Sequence, residues 1–132
     1  ESHSAGFCGD AHLRDWPRTL GRVAELKPKA LVPGRGAALT TPQQVAEGIA
    51  MTRDFLATLY HSARQCVAKG YTLKQTFDET RAAMDPKFSS FAIYEHCLPF
   101  NVSRAYDEAR GIDWPVIWTA ERDREMWAAL QG

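Results

Sequence analysis

The chain has 132 residues, 45% hydrophobic and 24% charged, which is the size and balance of one ordinary globular domain. Sixteen basic residues offset sixteen acidic ones. This zero net charge argues against a nucleic-acid partner, which selects a basic excess, and against a charged disordered tail.

No apolar run approaches the ~20 residues needed to cross a bilayer, and residues 1–6 carry no charged-then-apolar leader pattern. No membrane association is expected. Three cysteines without a CxxC, Cys8, Cys66 and Cys97, form neither a disulfide framework nor a zinc ribbon and suit a reducing, cytoplasmic setting. Cys66 and Cys97 fall on helical patterns and read as core residues, while Cys8, among glycines, reads as an exposed thiol.

In chain order, residues 1–10 are small, polar and Gly-rich and read as a flexible lead-in. Asp15-Trp16-Pro17 opens a helix as N-cap and first-turn proline, and Trp16, Leu20, Val23 and Leu26 make one apolar stripe along it. Ala30-Leu31-Val32 reads as a short buried strand entering a turn at Pro33–Gly36. Thr41-Pro42-Gln43-Gln44 is a capping box that starts a helix to about Lys69, with core positions Val45, Ile49, Thr52, Leu56, Leu59, Ala63 and Val67. Thr72 and Gln75 cap the next helix, expected to end before Asp85-Pro86. Ser89 or Ser90 opens a helix to Gly111 that Pro99 should kink or break. Residues 114–118 are extended and apolar, and Thr119 caps a last helix through Leu130. The fold class is mostly α with one or a few short strands. Only residues 5–8 and 114–118 could pair with the strand at 30–32.

Four histidines, His3, His12, His61 and His96, are scattered, and no two have the HxH or i,i+4 spacing of a ligand cluster. Asp10 and His12 are weak metal-ligand candidates at a loop mouth. His96, Asn101 and Arg104 gather polar groups around Pro99, where a helix break could line a substrate pocket. There is no Gly-rich phosphate loop and no GxSxG elbow. Trp114, Trp118 and Trp127 read as core or interface anchors.

The stretch from Gly9 to Gly36, GDAHLRDWPRTLGRVAELKPKALVPGRG, resembles the C-terminal half of the metallo-β-lactamase fold superfamily. In that superfamily a helix leads into a strand that ends in P-G-H-G. Residues 41–68 look like the long helix that follows this motif in glyoxalase-II-like hydrolases, and residues 101–108 are similar to a helix near the C-terminus of some members. The resemblance implies that residues 1–40 are the remnant of the second half of an α/β/β/α sandwich, and residues 41–132 a helical C-terminal subdomain.

The resemblance also implies a parent that binds zinc and hydrolyses an ester, thioester or amide in a small-molecule substrate. Arg35 stands where the family has its P-G-H-G histidine, and the His-x-His-x-Asp-His motif is absent from residues 1–132. Asp10 lies too close to Arg35 in sequence to match the bridging aspartate. No zinc is therefore expected in this chain by itself, and Arg35 becomes a candidate contact for an anionic substrate group. The alternative is a non-catalytic helical binding or dimerisation module. Under either reading, a lone strand edge and several tryptophans point to a homo-oligomer.

Overall fold

A computed structural model describes residues 2–132. It contains five helices: α1 (Trp16–Glu25), α2 (Pro42–Ala68), α3 (Leu73–Phe88), α4 (Tyr94–Ala109) and α5 (Ala120–Gln131). The capping boxes expected at Thr41–Gln44 and Thr72–Gln75 both form, each hydroxyl accepting from the N3 backbone N–H and each glutamine returning a bond to the cap. Thr119 likewise accepts from the Arg122 N–H and starts α5.

α2, α3 and α4 pack against one another, α1 lies on α2, and α5 lies on α3. The buried face of α2 is the expected stripe, with Val45, Ile49, Thr52, Leu56, Leu59 and Ala63 all buried and Val67 half-buried. It meets Met84 and Phe88 from α3 and Tyr94, Leu98, Val102 and Ala105 from α4. Phe55 and Phe88 make an edge-to-face pair with ring centres 5.1 Å apart.

Several expectations are corrected. Neither proline ends or breaks its helix. Pro86 lies inside α3, which runs on to Phe88, and Pro99 lies inside α4. Each removes one hydrogen bond, but Phe88 is 2% exposed and Pro99 is itself buried, so core packing outweighs that loss. α4 begins at Tyr94, after Ile93 at a left-handed φ of 57°, and not at Ser89 or Ser90. Asp15 does not cap α1 with its side chain, because its own backbone is already helical; it pairs with Arg18 at 3.1 Å instead.

The strand at Ala30–Val32 is reduced to a single antiparallel bridge, Leu31 to Leu39. Residues 5–8 and 114–118 are not strands either, although Ser4 bridges Ala92 in parallel. A ladder needs a second long extended segment beside it, and the described residues supply none.

The lead-in from Ser2 onward is packed where a loose segment was expected, and Glu1 lies outside the described residues. Ala5 and Cys8 are 0% exposed and belong to the same core as α2–α4, so the Cys8 thiol is buried. No described helix is long and apolar enough to cross a membrane.

Candidate functional site

The segment 6–14 is held in place by three side chains of α4. Asn101 acts as a substitute strand partner: its Oδ1 accepts the Cys8 N–H at 2.6 Å and its Nδ2 donates to the Gly6 carbonyl at 2.8 Å. One turn on, the Arg104 guanidinium donates to the carbonyls of Ala11 (2.6 Å), Ile112 (2.8 Å) and Asp113 (2.9 Å) and to Glu108 (2.9 Å).

Glu108, with its side chain 1% exposed, accepts the backbone N–H groups of Leu13 at 2.8 Å and Arg14 at 3.0 Å. Those are orphan donors of the turn that leads into α1, so a carboxylate of α4 caps it. The Arg14 side chain bonds Glu108 at 3.2 Å and pairs with Asp113. That hydrogen bond first, then the Asp113 charge, raise the Arg14 pKa above its ordinary value.

Trp118 closes the far side by donating its indole N–H to the Gly9 carbonyl at 3.0 Å. Any side chain at Gly9 would collide, since a Cβ there would lie 2.5 Å from the Phe7 ring and 2.6 Å from the Trp118 nitrogen.

This bracing shapes an open cleft of about 770 Å³ between residues 7–12, the start of α1 and residues 113–114. Asp10 and His12 stand on its wall, facing Trp16, Asp113 and Trp114. The His12 and Trp114 rings meet edge-on at 5.3 Å. The volume suits a drug-sized ligand.

Of the candidate metal-ligand and substrate-binding residues read from the sequence, Asp10 and His12 line this cleft, and Arg35, His96, Asn101 and Arg104 do not. Asn101 and Arg104 are 0% exposed, with their polar atoms engaged in the ties described above. His96 is exposed on α4 with its ring 5.9 Å from Phe100, beside an unbroken helix where a break was expected. Arg35 is exposed on the Pro33–Gly36 turn, where its carbonyl accepts the Ser2 N–H at 3.1 Å. That turn requires glycine next to Arg35: Gly36 has φ 92°, and a Cβ there would lie 2.1 Å from the Ser2 carbonyl oxygen.

Glu108 and Arg14 were not singled out from the sequence, and Trp114, expected to be a core or interface anchor, stands 79% exposed on the cleft wall. The i,i+4 spacing of Arg104 and Glu108 was a visible signal for one pair. Nothing local signalled that Glu108 would cap a turn 95 residues away.

Zinc needs three or four converging imidazole, thiolate or carboxylate ligands. Among the described residues no group of three or more His, Cys, Asp or Glu could hold a metal ion. Asp10 and His12 share the cleft with Asp113 but do not converge with it on one ion, and Arg35 has no lone pair to offer. The residues present therefore do not fit a zinc centre. No protein-family model matches the chain, and no curated protein matches its sequence.

Proposed function

We propose that this chain is the C-terminal region of a metallo-β-lactamase-superfamily hydrolase, supplying an edge of the second half-sandwich and the helical subdomain that walls the substrate pocket. The observation that carries this reading is how little of residues 16–36 is covered. In the apolar stripe of α1, Trp16 and Leu20 pack against the core and are only partly buried, and no residue of the helix is fully buried. Leu26 and Val32 are 80% and 85% exposed, and Leu31 has one bridge in place of a ladder.

A helix with that pattern packs its stripe on a sheet or a second helical layer. A strand-like segment beside it needs extended neighbours. Both requirements fit a helix and edge strand whose sheet comes from the rest of the parent. The zinc of such a hydrolase would be held by ligands outside residues 1–132, and the parent would cleave an ester, thioester or amide bond of a small molecule.

The test uses the full gene product. The expected result is an in-frame His-x-His-x-Asp-His upstream of Glu1 and near-stoichiometric zinc by elemental analysis, with none in the 132-residue chain at neutral pH. An upstream sequence without that motif, or stoichiometric zinc in the short chain, overturns the reading. A second reading, a helical dimerisation module, is favoured by the exposure of Trp114 (79%) and Ile117 (81%).

A further inference from the structure

We propose that the cleft between residues 7–12, the start of α1 and Trp114 is a binding site for an organic cation, a primary or quaternary ammonium attached to an apolar body. This inference rests on the cleft alone and is independent of the parentage proposed above.

The charge balance decides the sign. Among the described residues Arg14 is the one Lys or Arg on the cleft wall, and it is already shared by Glu108 and Asp113. Arg104 balances the other charge of that network through Glu108. Asp15 is matched by Arg18. Asp10 is left as an exposed carboxylate on the wall with no ion pair among the described residues. An anion entering here would face Asp10, Asp15 and Asp113 with no unshared donor cation to receive it.

The walls decide the rest. Phe7, His12, Trp16 and Trp114 present four rings to one cleft. Trp114 stands 79% exposed with its ring perpendicular to that of His12, a large apolar surface left in water. Aromatic faces attract cations through their negative quadrupole, tryptophan most strongly, and a nearby carboxylate adds direct attraction. A carboxylate beside several rings is therefore chemistry that selects an ammonium carried on an apolar group. The Arg104 and Glu108 ties hold residues 11–14, which join the Asp10 loop to α1, against α4, so the site needs little ordering on binding.

The experiment is a nuclear magnetic resonance titration of the 132-residue chain with benzyltrimethylammonium, and with benzyl alcohol and benzoate as neutral and anionic counterparts. The expected result is saturable shifts at Asp10, His12 and Trp114, half-maximal at or below about 1 mM for the cation, with at least about 5-fold weaker response to the other two. Asp10→Asn and Trp114→Ala, both at exposed positions, should each weaken the cation by about 5-fold or more while leaving the thermal midpoint unchanged. Absence of saturation, an equal response to the neutral compound, or full binding by both variants overturns the proposal.

Discussion

Arg104 and Glu108 are charged, fully packed and within 2.9 Å of each other, and between them they hold five backbone groups of distant segments. Taking two ions out of water is tolerated because almost every donor and acceptor finds a partner. Replacing Arg104 with Met would leave the Ala11, Ile112 and Asp113 carbonyls without their donor and remove one of the two arginines paired with Glu108, and urea denaturation should show a loss of about 3–5 kcal/mol. A midpoint within error of the parent would show that the pair is not the tie described here. Asn101→Ala should cost about 1–3 kcal/mol, because the Cys8 N–H and Gly6 carbonyl would lose their partner inside the core. Tyr94 carries a pH signature. Burial above all, then its 2.8 Å hydrogen bond to Asp85, holds its phenol well above the ordinary tyrosine pKa. The fold favours the neutral phenol, so this stabilisation is complete below the ordinary value of about 10 and is lost as pH rises from there through the folded value. Tyr94→Phe should lose less stability than the parent between about pH 8 and pH 11. An equally steep alkaline fall in the variant would refute this assignment.

At the scale of elements, caps and stripes were legible because they act over one or two turns. Thr41 with Gln44 and Thr72 with Gln75 mark the starts of α2 and α3 to the residue. The ends were harder to read. Proline rules stop α3 near Met84, but Phe88 has a place in the core and pulls the last turn into helix. Pro86 is exposed and donates no hydrogen bond, so Pro86→Ala should restore one and raise stability by about 1 kcal/mol. A lower melting temperature in that variant would mean that Pro86 contributes packing or chain stiffness of its own. The segment 30–32 has the composition of a strand, but composition supplies no partner, and one bridge to Leu39 is all that it makes. The candidate site was legible only at Asp10 and His12, which are neighbours in sequence. Trp114 joins them because Arg104 anchors the carbonyls of Ile112 and Asp113.

For the whole molecule, the most exposed large apolar side chains are Leu26 and Val32 near α1 and Trp114 and Ile117 before α5, with Val116 also exposed. Such surfaces favour association. Sedimentation velocity should show concentration-dependent dimer or larger species, weakened by Ile117→Ser, and a clean monomer at high concentration would count against this. The sequence by itself determined a neutral, mostly helical chain, the identity of its five helices and the α2 stripe, because composition, capping and helical periodicity are local properties of neighbouring residues. Only the tertiary structure decided that the Gly-rich start is core, that the prolines are absorbed into helices, that Asn101 and Arg104 are ties, and that Asp10, His12 and Trp114 share a cleft. Each of those outcomes depends on the desolvation of groups far apart in sequence, where burial of a charge or a ring is decided by what the rest of the chain brings against it.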